Sequence, residues 1–201
     1  MDSTLLFWDV DTQVDFIRPE GKLYVPGAEE IVPNLERLTR WAFSHKVPVI
    51  ASADAHQPGD KEFDLYPPHC LAGTPGQEKI PETRLMKQGV IPNRTTELTE
   101  DLTTAQQIVL EKQQFDVFSN PNADAVLELL NPSRIVLYGV VTEICVAAAA
   151  RGLLDRGHKI SLVTDAIRHL DETGSRKLIE EVQHRGGRLL TTAQVESQRV
   201  A

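Results

Sequence analysis

Asp54-Ala55-His56 and, further on, Tyr66-Pro67-Pro68-His69-Cys70 place three metal-type ligands on one short irregular segment. Asp54 and His56 stand two apart just after the apolar run Val47-Pro48-Val49-Ile50-Ala51, where a strand would end. Both can therefore point into a crevice at that strand's C-terminal edge. His69 arrives on a loop stiffened by two prolines, which lowers the entropy lost on fixing it. A carboxylate mixed with imidazoles suits one divalent metal in an open site, zinc first, with iron or manganese also compatible. The plain alternative is a set of surface polar residues in a proline-rich loop.

A second group of residues has the makings of a nucleophile and its helpers. Gly139-Val140-Val141-Thr142-Glu143-Ile144-Cys145 runs from a strand into a helix. With Thr142 as N-cap, Cys145 falls in the first turn, where backbone N–H groups and the helix dipole favour a thiolate and an oxyanion. The competing reading of Cys145 is a small buried residue ahead of Ala147 to Ala150. A thiol nucleophile needs a base. His56 and His69 belong to the metal loop, and His45, His158, His169 and His184 lie at turns or on polar helix faces, so Asp11 is the better base. Lys112 supplies a cation. Taken singly, Asp11 also reads as a turn carboxylate and Lys112 as a solvated lysine.

The elements that must position these residues follow from the hydrophobic pattern. Apolar runs recur at Leu5–Trp8, Val47–Ala53, Gln107–Leu110, Ile135–Tyr138, Ile160–Val163 and Arg188–Leu190. Helical patterns fall between most of them, over 28–44, 123–130, 143–156 and 173–185, the last followed by Gly186-Gly187 as a C-cap. Strands buried on both faces and alternating with helices predict an α/β, doubly wound, mostly parallel six-stranded sheet with helices on both faces. Residues 54–106, rich in Pro and Gly, read as a functional excursion carrying the metal loop. Asp11, Asp54 with His56, Lys112 and Cys145 then follow four different strands at one sheet edge, where open α/β sheets bind ligands.

The 201 residues, 41% hydrophobic and 25% charged, suffice for one sizeable core, so a single domain spanning 1–201 is expected. A net charge of −8 without a basic run argues against nucleic acid or an anionic membrane as partner and for a small molecule. With no signal-peptide core or membrane-length apolar stretch, the expected location is cytoplasmic. Cys70 and Cys145, in unlike contexts, fit reduced thiols.

The segments together resemble the isochorismatase-like cysteine hydrolases, nicotinamidases in particular, over residues 5–190. Asp11-x-Gln13-x-Asp15-Phe16 resembles the family's N-terminal motif and Val25-Pro26-Gly27-Ala28 its following turn; Asp54-x-His56 and Pro67-Pro68-His69 resemble its metal ligands. Lys112 with Phe115 and Phe118 resembles the lysine segment, and Gly139 to Cys145 the nucleophile segment. The resemblance implies a catalytic Asp11-Lys112-Cys145 triad, an oxyanion hole from the N–H groups of Val141 and Cys145, and a cis peptide joining Val140 and Val141. It implies a metal that holds a substrate's pyridine nitrogen, and a substrate pocket walled by Phe16, Tyr66 and Phe118, although Phe118 also reads as ordinary core. The implied reaction is nicotinamide to nicotinate plus ammonia through a Cys thioester, with a homo-oligomer as the working form; other small amides or carbamoyl compounds are the alternative. The chain departs from the pattern in having Lys61 near where some members carry a further metal His, and Tyr66 where many carry Trp. Glu62, seven residues before His69, resembles the carboxylate ligand of other nicotinamidases.

Two readings from other classes compete. Asp9-Val10-Asp11-Thr12 after an apolar strand looks like the first motif of haloacid-dehalogenase-type phosphatases, with Asp9 as nucleophile and Mg²⁺ on the phosphoryl group. That chemistry also wants a late acidic pair, and Asp165 stands alone. A catalytically silent α/β binding protein is the other, but a structural zinc site favours four closed N/S ligands.

Overall fold

The structure, a computed structural model, describes residues 4–198. Strand β1 (Leu5–Val10) leads through a short helix α1 (Val14–Ile17) and a 3₁₀ turn (Ala28–Ile31) into α2 (Val32–Ser44) and then β2 (Val49–Asp54). The excursion that follows holds β3 (Gln88–Ile91) and α3 (Glu100–Thr103), after which β4 (Gln107–Lys112), α4 (Ala123–Leu130) and β5 (Arg134–Val140) succeed one another. The C-terminal part runs α5 (Ala147–Asp155), β6 (Ile160–Arg168), α6 (Glu172–His184), β7 (Arg188–Leu190) and α7 (Thr192–Glu196). All strand pairings are parallel, in the order β3-β4-β2-β1-β5-β6-β7.

The sheet thus has seven strands, one more than the apolar runs predict. The extra strand is β3, inside the segment read as irregular. Its alternating burial and its glycine hide it from a search for apolar runs: Gly89 is needed because a Cβ there would lie 2.6 Å from the Leu102 carbonyl of α3. As an edge strand only four residues long, it carries little hydrophobic signal of its own.

Alternation along β1 splits the core. Leu6, Trp8 and Val10 face one layer with Ala123, Val126, Ala150, Leu153, Leu178 and Val182 of α4, α5 and α6. Phe7 faces the other with Leu35, Leu38 and Trp41 of α2, and Phe7 stacks on Trp41 with ring centroids 5.5 Å apart. From β1 the chain steps to β2, runs out to the sheet edge as β3, comes back between β3 and β2 as β4, and then crosses to the far side of β1 as β5. The order reverses at β1 and β5, and the crevice at that switch point is where such sheets bind ligands. Asp11 follows β1, and Cys145 follows β5.

Candidate active site

Register brings the charged groups together. Asp54 ends β2 and Lys112 ends β4, and the two are directly paired across the parallel ladder. The Lys112 ammonium bonds the Asp54 Oδ1 at short range, lies 2.9 Å from Asp11 Oδ2, and stands 3.7 Å from Cys145 Sγ. Asp11 takes a positive φ of 51°, a conformation that costs a non-glycine residue free energy, and its Oδ1 accepts from the Ser52 hydroxyl at 2.8 Å. All four groups are buried, Cys145 being 6% exposed.

The cluster sets its own protonation. Burial opposes the charge of Lys112, but the Asp11 and Asp54 carboxylates beside it hold its pKa well above the usual lysine value. Burial pushes the Cys145 thiol well up, Lys112 opposes that, and the two carboxylates with a hydrogen bond to Asp11 add to it. The helix-start argument leads to a thiolate; here Lys112 is shared by two carboxylates, which together with burial push the thiol the other way. Asp54 is raised above the ordinary carboxylate value, chiefly by burial, against the pull of Lys112.

Cys145 sits in a π-turn (Thr142–Val146) that precedes α5. Val141, not Thr142, occupies the N-cap position, and Thr142 makes no capping bond; its hydroxyl is buried without a partner. The expected cap fails because the wider turn starts one residue earlier. The cis peptide implied by the resemblance lies between Val140 and Val141.

Asp54, His56, Glu62 and His69 converge so that one ligand atom from each lies within 4.8 Å of the others. Glu62 Oε1 is 3.5 Å from His69 Nε2 and 3.9 Å from His56 Nε2, and Asp54 Oδ2 is 3.9 Å from both rings. Metal–ligand bonds of about 2 Å put neighbouring donors about 3 to 4 Å apart. The outer nitrogens are engaged: His56 Nδ1 pairs with Asp60 at 3.0 Å and His69 Nδ1 with the Pro67 carbonyl at 2.8 Å. Those bonds turn both Nε2 atoms inward, where they are buried with no hydrogen-bond partner. Lys112 pairs with both Asp11 and Asp54, and Glu62 adds a third carboxylate beside the two imidazoles, a surplus of negative charge that a divalent cation would offset. The donor set fits a divalent metal.

Local pairing explains how distant residues meet. The chain returning at 70–72 bonds His56 through its N–H to Cys70 (3.1 Å) and its carbonyl to Ala72 (2.9 Å), which sets His69 against His56. Gln13 clamps Asp54 from both sides, accepting from its N–H at 2.7 Å and donating to its carbonyl at 2.8 Å. Asp15 accepts from Cys70 N–H at 2.7 Å, fixing the residue after His69. Asp60, Gln13 and Asp15 have supporting roles that the sequence does not assign; the spacing Asp11-x-Gln13-x-Asp15 signals the latter two, and nothing in the pattern singles out Asp60. Phe63 was also missed, and its ring packs on both imidazoles, with centroids 5.0 and 5.7 Å away.

A pocket opens between the two centres, lined by Phe16, Leu23, Val25, Tyr66, Phe115, Val141, Ile144 and Leu170 together with Asp54, Glu62 and Cys145. Phe16 and Tyr66 stand where expected. Phe118 does not: the 3₁₀ turn Val117–Ser119, capped by Asp116, carries it to the other side of the sheet, against Trp8 and under the Arg156 guanidinium at 3.7 Å. Phe115 takes the wall position, meeting Tyr66 edge-on at 6.0 Å. Asp9, the nucleophile of the phosphatase reading, is turned away and buried in an ion pair with Lys79 at 2.7 Å.

The isochorismatase domain model matches residues 3–194, and the chain belongs to that family. A Bacillus subtilis protein described as an uncharacterized isochorismatase family protein, PncA, is 26% identical over 174 residues, 82% of this chain and 86% of that protein. The nicotinamidase of Saccharomyces cerevisiae is 24% identical over 191 residues, covering 81% and 87%. The crystal structure of Pyrococcus horikoshii pyrazinamidase in complex with zinc superposes with a TM-score of 0.76 at 24% identity, covering 94% of this chain and 99% of that one. Among the described residues, no helix is long and apolar enough to cross a membrane.

Proposed function

We propose that this chain is a metal-containing cysteine amidohydrolase acting on an uncharged aromatic amide of the nicotinamide type. One observation carries the reading: a single pocket has the Cys145 thiol on one wall and the metal-type donors Asp54 and Glu62 on another. The likeness to a nicotinamidase, and to a pyrazinamidase that holds zinc, supports the same substrate class and metal.

In this reading Asp11 takes the Cys145 proton as sulfur attacks the amide carbon, and the N–H groups of Val141 and Cys145 receive the oxyanion. Collapse expels ammonia, protonated by Asp11, and leaves a thioester. Asp11 then takes a proton from the water that attacks the thioester, which releases the acid and restores the thiol. Lys112 stays charged throughout and holds Asp11 and Asp54 in place. Asp54, His56, Glu62 and His69 would hold the divalent metal, zinc by preference, which when bound supplies a Lewis-acidic position for a ring nitrogen and so orients the amide.

The pocket wall favours this substrate over acidic ones. With Asp54 and Glu62 engaged as metal ligands, the rest of the wall is apolar and aromatic, including Phe16, Tyr66 and Phe115, and among the described residues lining it no lysine or arginine stands to pair with a substrate carboxylate. Ammonia release from nicotinamide, pyrazinamide and carbamoyl-sarcosine, with isochorismate turnover in parallel, tests the proposal. Nicotinamide or pyrazinamide should exceed the others by at least about tenfold; preference for a carboxylate-bearing compound would sink it.

A further inference from the structure

Glu143 lies two residues before Cys145 but does not line the pocket. Its Oε1 instead accepts two backbone hydrogen bonds from the loop between β6 and α6, from Leu170 N–H at 2.9 Å and Asp171 N–H at 2.6 Å. Asp171 in turn caps α6 by accepting from the N–H groups of Thr173 and Gly174. Gly174 permits this approach, since a Cβ there would lie 2.9 Å from the Cβ of Glu143. The loop is therefore pinned to the nucleophile turn at both of its last residues.

What the pinning achieves is visible in Leu170. It is 51% exposed, a large apolar side chain held partly in solvent, and it lines the same pocket as Ile144 and Cys145. An exposed leucine gains little stability from that position. Holding it there through a charge-assisted pair of N–H bonds makes sense where the side chain bounds the entrance to the thiol.

We propose that Glu143 is a positioning residue that couples the outer wall of the pocket to the nucleophile turn, so that Leu170 acts as a size gate over Cys145. The inference rests on the reading of Cys145 as the reacting thiol, and it adds the residue pair that sets which ring sizes reach it. A capping role alone would stabilise α6 without affecting access to sulfur.

The test measures access without requiring the substrate to be known. Full-length protein is labelled with iodoacetamide, which is small, or N-phenylmaleimide, which is bulky, and the rate at Cys145 is followed by peptide mass so that Cys70 is counted separately. In Leu170→Ala and Glu143→Ala the bulky-to-small rate ratio should rise about tenfold. Leu170→Trp should lower it. Glu143→Gln keeps an oxygen that accepts from both N–H groups and should stay within about twofold of the parent, while Glu143→Asp, too short to reach, replaces the alanine variant if that fails to fold. Because Glu143 acts through Leu170, the double variant E143A/L170A should match L170A. An unchanged ratio in folded L170A or in the shortened Glu143 variant, or a double-variant ratio that rises by the product of the two single effects, overturns the proposal. With an amide that the parent hydrolyses, L170A and E143A should raise KM several-fold and leave kcat within about twofold; a fall in kcat alone would assign Glu143 to support of the turn. Failure of the parent to hydrolyse any amide would strike the hydrolase reading, while the labelling ratio would still decide the gate.

Discussion

Lys112 is the residue on which the site's electrostatics turn. One ammonium touches two carboxylates and stands within reach of a thiol, in a volume from which water is nearly excluded. Its charge is divided between the thiol and two carboxylates, which leaves the thiol pKa raised, and in the proposed reaction Asp11 accepts the thiol proton. The three groups should then behave as a unit. Cys145→Ala, Asp11→Asn and Lys112→Ala are each expected to lower amide hydrolysis by at least about a thousandfold, and the double variant D11N/K112A should be little worse than either single one. Steady-state rates with circular dichroism on each variant check this; multiplicative losses would show independent contributions. Outside that unit, Asp60→Ala frees the Nδ1 of His56 and should weaken metal binding about 10- to 100-fold. Competition against a chromogenic chelator measures it, and unchanged affinity would mean that the Asp60 bond does not orient the ring.

At the scale of elements, strand ends were legible and the excursion was not. The alternation of apolar runs and helical patterns marks every strand but β3, and places Asp11, Asp54, Lys112 and Cys145 at one edge, because burial on both faces leaves a continuous signal. The wider turn at Cys145 and the orientation of Phe118 depend on backbone geometry of one turn, which hydrophobic spacing does not encode. The excursion is held by polar contacts spread far apart in sequence, and these carry no period. Its anchor to β1 is the pair Asp9 and Lys79, joined by Thr12, whose hydroxyl lies 3.0 Å from Asp9 and 2.7 Å from Lys79. Lys79→Met would leave the Asp9 charge buried and unpaired and should cost about 3 to 5 kcal/mol, whereas D9L/K79M, which removes both charges, should cost less. Burial already raises the Asp9 pKa against the pull of Lys79. The folded chain therefore holds that proton to higher pH than the unfolded chain, and this group's contribution to stability falls as pH rises from the ordinary aspartate value through the folded one. The K79M penalty should accordingly shrink on acidification and grow toward neutrality; urea titrations at pH 4 and 7 distinguish this from a pH-independent packing loss.

Over the whole molecule, the sheet with its two helical layers and the loop that carries the metal-type donors make separate demands on stability. The core on both faces of β1 is built from apolar side chains of the strands and helices, whereas the metal-type donors come from the last residue of β2 and the loop after it, so the fold should survive loss of the ion. Binding to the folded chain alone still stabilises it by linkage, by about 4 kcal/mol at a thousandfold excess over Kd. In a chain of 201 residues that corresponds to a rise in Tm of roughly 10 °C. The increment should depend on pH in a definite direction. For His69 burial works against protonation, but the nearby Glu62 carboxylate and the bond to the Pro67 carbonyl outweigh it and hold the ring above the usual histidine value, while burial raises Asp54. Each must lose its proton to ligate, and each gives it up only at a higher pH than in the free chain, so proton competition sets in earlier as pH falls. Scanning calorimetry of chelated and zinc-loaded protein between pH 5.5 and 8 should therefore show one cooperative transition in both forms, with a gap in Tm that is widest at pH 8 and closes toward pH 5.5. Chelated protein that no longer unfolds cooperatively would make the ion part of the core, and a gap that is absent or independent of pH would remove these side chains as its ligands.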